Sequence, residues 1–254
     1  MTDRNHLVAL YGLEGKVAVV SGGAVGTGKA IAEFFADAGA SVVVADINRN
    51  AANELVGDAR GRGVELEAVE TDITDEASVD RALGQIVADH GRIDVLVNNA
   101  GIYPKALLEY PLDLWEETQA VNLRGMFLMT RGVARSMVDR GAGGSVVNIG
   151  AVSAFNPGLV GNCAYATSKG GMVAFTQAAA LDLAPHGIRV NVLCPAGYDV
   201  EGRGTPPVSL SGDRILLGRS GTPPIAAATL FLASDAASHI TGQTLIADGG
   251  YMVS

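Results

Sequence analysis

Tyr165 and Lys169 stand four residues apart at the head of a long stretch with helical character. Four residues is about one helical turn, so the phenol and the ammonium project from one face and can work on the same small molecule. A free tyrosine titrates near pH ~10 and is a poor proton-transfer group at neutral pH, whereas a lysine charge beside it favours the phenolate and lowers that value. Such a pair is a tuned acid or base. A solvated helix face produces the same spacing without any chemistry, so the surroundings of the pair have to decide.

Those surroundings alternate. Short β-branched runs at residues 17–20, 41–45, 66–69, 93–97, 145–149, 188–193 and 244–247 are separated by longer helical stretches at 29–38, 51–62, 76–90, 112–140, 166–184 and 225–233. Several runs are apolar at successive positions, which suits strands covered on both faces, and the stretches between them are long enough for crossover helices. The pattern predicts an α/β fold of the Rossmann type, a doubly wound parallel sheet of about seven strands with helices on both faces. Asp75 is placed to cap one helix, and Gly39 follows the end of another. The chain reads as a single domain over 1–254. Its one aperiodic segment, 195–224, is rich in Gly, Pro and Ser and lies beyond the C-terminal end of a strand, where open α/β sheets bind ligands. That place favours a substrate-covering loop over a plain linker.

Composition narrows the partners. Apolar residues make up 48% of the 254, enough for a large core, and the net charge of -9 argues against a nucleic-acid groove or an anionic membrane surface, both of which need clustered Lys and Arg. Cys163 and Cys194 lack CxxC spacing and the four histidines are scattered, so neither a disulfide framework nor a metal site is expected. Two unpaired cysteines suit a reducing cytosol. No apolar run reaches the ~18 residues of a membrane span, and the start of the chain lacks the order of a signal peptide, so a cytoplasmic location is the expectation.

A glycine-rich turn, with Gly22, Gly26, Thr27 and Gly28, leads from the first strand into the first long helix. Glycines there let the backbone approach a pyrophosphate, and the helix N-terminus presents N–H groups to its charge. Asp46 ends the second strand, where an acid accepts both ribose hydroxyls of an adenosine; a cap for the following helix is the alternative. A carboxylate there repels the 2′-phosphate of NADP, and no basic residue stands just before Gly22 or just after Asp46, so NAD is the expected cofactor. Asp72, after the third strand, is placed either at the adenine edge or as the cap of the next turn. Ile47 and Ile73, beside the two acids, join the expected cofactor residues. Asn99, Ala100 and Gly101 close the fourth strand after Asn98 with small residues past which a cofactor can run.

In order and spacing these features resemble the short-chain dehydrogenase/reductases of the single-domain kind. The resemblance runs from about Leu13 to Gly250 and is carried by Gly22, Gly26 and Gly28, Asp46, Asp72, the run 98–101, Asn122, Tyr165 with Lys169, the stretch 188–191, and the late Thr241-Gly242-Gln243 and Asp248-Gly249-Gly250. It implies NAD or NADP and hydride transfer between the nicotinamide and an alcohol or carbonyl carbon. By the same resemblance Tyr165 exchanges the hydroxyl proton, Lys169 lowers the tyrosine pKa and holds the nicotinamide ribose, and Asn122 supports a water path to the lysine. Asn122 tying a helix kink to backbone is its structural alternative. Pro195 and Gly197 would lie near the nicotinamide amide, although Pro195-Ala196-Gly197 departs from the family's adjacent Pro-Gly and Thr205 lies farther on than the family's threonine.

The family's catalytic serine is missing at its usual place, three residues past Asn148, where Ala151 stands. A shift of the loop would bring Ser153 into the slot; bonding a nearby loop backbone is the alternative for that hydroxyl. The expected activity is that of an NAD-dependent alcohol dehydrogenase or carbonyl reductase, and a dinucleotide-binding scaffold or sensor with little turnover is the other reading. The substrate expected is a small, mostly apolar alcohol or ketone, from Phe155, Leu159, Val160, Tyr198, Leu210, Ile215 and Leu216; Arg203 and Arg214 are too few for a sugar acid. A homotetramer is implied by the family. A small apolar stripe along 166–181 would permit close helix packing, and it would equally serve against the chain's own sheet.

Overall fold

The computed structural model describes residues 4–104, 110–158, 160–196 and 215–254. Seven strands form one parallel sheet in the order β3-β2-β1-β4-β5-β6-β7: β1 (Val17–Ser21), β2 (Ser41–Asp46), β3 (Leu66–Glu70), β4 (Val95–Asn98), β5 (Gly144–Ile149), β6 (Ile188–Pro195) and β7 (Thr244–Ala247). The order reverses between β1 and β4, which opens a crevice at the carboxyl ends of those strands. The helices are α1 (Arg4–Tyr11), α2 (Gly26–Asp37), α3 (Arg49–Gly61), α4 (Glu76–His90), α5 (Leu112–Gln119), α6 (Met126–Arg140), α7 (Cys163–Leu183) and α8 (Pro223–Ala233).

Strand β1 shows why apolar residues come in unbroken runs. Ala18 and Val20 pack in one core with Ile31 and Phe35 of α2, Leu55 of α3 and Leu232 of α8. Val17 and Val19 point the other way, into a core with Leu83 of α4, Met129 and Val133 of α6 and Ala179 of α7. Alternate residues serve opposite layers, so no position in the strand can be polar without a partner. Where polar side chains enter beneath the crevice, their donors are used, although Asn98 Oδ1 has no partner. Asn98 Nδ2 donates to Thr130 Oγ1 (2.9 Å) and to Asn148 Oδ1 (2.8 Å), Asn148 Nδ2 donates to Thr176 Oγ1 (2.9 Å), and Thr176 Oγ1 donates to the Met172 carbonyl (2.8 Å). This chain starts at Asn98 on β4 and runs one way to α6 and the other way through β5 to α7.

The expected caps form, with one exchange. Asp75 accepts from Ala77 N at the start of α4 (3.0 Å), and Gly39 follows α2 with φ of 92°. Asn48, not Asp46, caps α3 by accepting from Ala51 N (3.1 Å), so the cap alternative for Asp46 is corrected. The single helix expected over 112–140 is interrupted by one π-helical turn, Ala120–Gly125, which carries Asn122. On α7, Ser168, Lys169, Met172, Thr176 and Ala179 are buried toward the sheet. Of the small apolar stripe, Ala174, Ala178 and Leu181 are exposed, whereas Val173 is partly buried against a cluster with Val192 and Cys194 of β6, so the stripe serves the chain's own sheet only in part. No helix among the described residues is long and apolar enough to cross a membrane.

Candidate active site

The glycine turn is built by close approach. At Gly22 φ is 61° and a Cβ would lie 2.6 Å from Ala100 Cα; at Gly28 it would lie 2.2 Å from the Gly22 carbonyl and 2.5 Å from Asn99 Nδ2. No L residue with a side chain fits either position without moving backbone. Asn99 latches the turn to the end of β4, its Nδ2 donating to the Ser21 (3.2 Å) and Gly22 (2.8 Å) carbonyls while its N–H donates to Ser21 Oγ (3.1 Å). Ser21 thus supplies the hydroxyl that the latch needs. Val25 places no side-chain cap on α2.

A cleft of about 480 Å³ opens over this turn, lined by Gly22, Gly26, Thr27, Asp46, Ile47, Asp72, Ile73, Asn99, Ala100, Gly101, Tyr165 and Lys169. Twelve of the residues expected from sequence meet there. Gly28 packs behind the turn, and Pro195 is buried at the end of β6, next to Ala196, whose N–H donates to the Ala247 carbonyl (3.3 Å). Gly197 lies outside the described residues, as do Leu159, Tyr198, Arg203, Thr205, Leu210 and Arg214. Of the other substrate candidates, Phe155, Val160 and Leu216 are exposed, whereas Ile215 packs on Val152 and Tyr251.

Both acids are already engaged by backbone. Asp46 Oδ2 accepts from Ala24 N (3.0 Å) and Oδ1 from Asn48 N (2.9 Å), so the carboxylate braces the glycine turn. Asp72 Oδ1 accepts from Thr74 N (2.8 Å) and Thr74 Oγ1 (2.7 Å), the turn cap foreseen for it, and the residue still faces the cleft. Each oxygen of Asp46 retains a lone pair for a further donor, and Asp72 retains its Oδ2.

Tyr165 and Lys169 occupy the first turns of α7. Lys169 is 3% exposed; its Nζ donates to the Ile149 carbonyl at the end of β5 (2.7 Å) and lies 5.5 Å from the centre of the Tyr165 ring. Burial pulls its pKa down to about 8. Asn122 is fully buried in the π turn. Its Oδ1 accepts from Ile102 N (2.8 Å), and its Nδ2 donates to the Ile102 carbonyl (2.9 Å) and to Ser168 Oγ (3.1 Å). The π turn leaves Asn122 facing backbone on one side and α7 on the other, which is the tie described for it above. Ser153 sits in a single 3₁₀ turn after β5, Val152–Ala154, and its hydroxyl is buried with no hydrogen-bond partner. The backbone bond offered as an alternative for Ser153 is therefore not made. Ala151 is buried beside it.

Tyr103 escaped the sequence reading. Its ring meets that of Tyr165 edge-on, with centroids 4.5 Å apart, and burial pushes its phenol pKa up. The signal was its place two residues past Gly101, because the backbone of Ile102 is held on both sides by Asn122. Among the described residues no cluster of His, Cys, Asp and Glu is arranged to hold a metal ion.

A parallel sheet reversed at its centre, with a glycine turn and an acid at the crevice, defines a nucleotide-binding α/β protein of the Rossmann type. The family model described as enoyl-(acyl carrier protein) reductase matches residues 22–252. The chain is 38% identical over 252 residues to an NAD-dependent glycerol dehydrogenase of Listeria innocua, covering 96% of each. Among solved structures it is similar to a short-chain type dehydrogenase/reductase from Mycobacterium marinum (TM-score 0.90, 34% identity, 96% of this chain and 98% of that one). It is also similar to a gluconate 5-dehydrogenase from Burkholderia cenocepacia in complex with NADP and tartrate (TM-score 0.91, 33% identity, 98% of this chain and 100% of that one). The chain belongs to the short-chain dehydrogenase/reductase family of oxidoreductases.

Proposed function

We propose that the protein is an NAD(H)-dependent oxidoreductase that moves a hydride between the nicotinamide and a secondary alcohol or its ketone, with Tyr165 giving or taking the hydroxyl proton. The observation that carries this reading is a phenol in the cleft with a buried ammonium one turn behind it. The residues fit a dinucleotide: glycines stand where any Cβ would fill the turn, α2 carries no side-chain cap at its phosphate-facing end, and Asp46 keeps lone pairs for ribose hydroxyls. Bound there, the dinucleotide supplies the hydride donor or acceptor. The chain's own residues handle the proton: Tyr165 exchanges it with the substrate oxygen, and the Lys169 charge favours the phenolate. Asn122 fixes the backbone of Ile102 and, through Ser168, the first turns of α7.

Asp46 sets the cofactor preference. A 2′-phosphate beside this carboxylate is a like-charge contact costing several kcal/mol. A panel of secondary alcohols run with NAD and NADP in parallel is expected to give NADH production, with kcat/KM roughly tenfold or more higher for NAD than for NADP. Equal or better values with NADP would refute the role given to Asp46. Cofactor binding without turnover on any alcohol would point to a scaffold.

Ser153 is our choice for the donor to the substrate oxygen. An unsatisfied buried hydroxyl costs about 1–3 kcal/mol, and a substrate oxygen beside Tyr165 would relieve that cost. Ser153→Ala is expected to lower kcat by roughly 10²-fold with little change in NADH binding. A loss below about threefold would mean the site works without this serine, and a gain from Ala151→Ser would then show where a hydroxyl is wanted.

For the assembly we propose a homotetramer. The exposed small residues of α7 adjoin a groove of Trp115, Leu123, Phe127 and Phe175, apolar surface of the sort oligomers cover. Light scattering at micromolar concentration is expected to give a tetramer mass, and a monomer mass would refute it. Free cysteines, Cys163 exposed and Cys194 buried, fit the reducing cytoplasm proposed as its location.

A further inference from the structure

A second side chain in the β5–α7 connection is buried and incomplete. Asn162 is 4% exposed; its Nδ2 donates to the Pro157 carbonyl (3.1 Å), and its Oδ1 has no partner. Turning the amide over would set oxygen against the Pro157 carbonyl, so the unmatched atom is fixed as an acceptor. Asn is a common capping residue, yet Asn162 stands at the N-cap of α7 and makes no side-chain cap bond. Its amide is committed elsewhere.

The direction follows from helix geometry. Ala166 N donates to the Asn162 carbonyl (2.8 Å), which winds Asn162 into the first turn of α7. Asn162, Tyr165 and Lys169 then fall at i, i+3 and i+7, one face of the helix, with neighbours about 5–6 Å apart between Cβ atoms. The three side chains thus leave neighbouring positions along α7, and the phenol acts on the reacting oxygen. The other unmatched hydroxyl in this connection, Ser153 Oγ, lies in the turn that packs on α7.

We propose that Asn162 Oδ1 accepts a hydrogen bond from a second hydroxyl on the substrate, close to the reacting carbon, so that the substrate class is a diol or hydroxyketone and not a simple alcohol. The inference rests on the oxidoreductase reading above. An amide oxygen only accepts, so it selects a donor, and a neutral hydroxyl costs less to bury beside it than an ammonium does. A site built to bond a substrate hydroxyl rejects the analogue lacking it, because its own polar atom is then left unpaired.

The test compares kcat/KM for butane-2,3-diol with 2-butanol, and for 1-phenylethane-1,2-diol with 1-phenylethanol, in wild type, Asn162→Leu and Asn162→Asp. Wild type is expected to prefer each diol by roughly tenfold or more. Asn162→Leu, which cannot accept, should erase that preference. Asn162→Asp loses the bond to Pro157 but keeps an acceptor, and should retain it. Equal use of diol and mono-alcohol by wild type overturns the proposal, as does loss of the preference in the Asp variant to the same extent as in the Leu variant. If wild type turns over neither member of either pair while other secondary alcohols of the panel are oxidised, the proposal falls and the oxidoreductase reading stands; no turnover on any alcohol with NAD or NADP removes both.

Discussion

Tyr165→Phe is expected to lower kcat by roughly 10²- to 10⁴-fold while the dissociation constant for NADH stays within about threefold. The substitution removes one oxygen and keeps the ring, so the edge-on contact with Tyr103 and the lysine beneath the ring persist. What disappears is the group that exchanges a proton with the substrate oxygen, and hydride cannot leave or reach carbon unless that oxygen gains or loses its proton. The loss should appear in the chemical step measured by single turnover, with KM little changed. A variant that kept a third or more of wild-type kcat would remove Tyr165 from the proton path.

Lys169→Met is expected to reduce kcat by a comparable factor and, separately, to change how stability depends on pH. Burial lowers the Lys169 pKa from 10.5 to about 8. Below about pH 8 the group is charged in both the folded and the unfolded chain, so the full cost of burying that charge is present there. Between about 8 and 10.5 the folded chain gives up the proton first, and the cost falls away as pH rises. The melting temperature of the cofactor-free wild type should therefore rise relative to Lys169→Met between pH values of about 7.5 and 9.5. A gap that stays constant over that range would mean that the folded lysine titrates at its ordinary value. The same shift leaves Lys169 largely charged at neutral pH, as its action on Tyr165 requires.

The central strands are legible because each serves two cores, whereas β3 and β7 at the sheet edges keep exposed positions. The run 17–20 is apolar throughout, short and rich in β-branched residues, as suits a strand covered on both faces. Helical character begins in the sequence only at Lys29, three residues past the true start of α2, because Gly26 and Gly28 depress local helix propensity while the turn needs them for close approach. The π turn was invisible for a different reason: one extra residue barely disturbs helical periodicity, and only the partners of Asn122 reveal it. In the site, the glycines and Tyr165 with Lys169 could be found from spacing. Tyr103 and Asn162 could not, since a lone tyrosine past a glycine and a lone asparagine before a helix are ordinary loop residues until their contacts, or the lack of them, are known.

The chain of side-chain bonds from Asn98 through Asn148 and Thr176 to Met172 has a bearing on how this sequence can evolve. Asn148 and Thr176 each receive from one neighbour and give to the next, so altering either one strands its neighbours inside the sheet. Asn148→Asp would put an acceptor where Thr176 now receives a hydrogen bond, forcing that hydroxyl to abandon the Met172 carbonyl. Asn98→Leu would leave both Thr130 and the Asn148 oxygen short of a donor. Single-step mutational paths through these positions pass through damaged intermediates, whereas a concerted exchange of several members for apolar residues of similar shape costs far less. Random libraries that sample one change at a time should return Asn98, Asn148 and Thr176 almost unaltered, and recombination that moves α7 without β5 should fail at this seam.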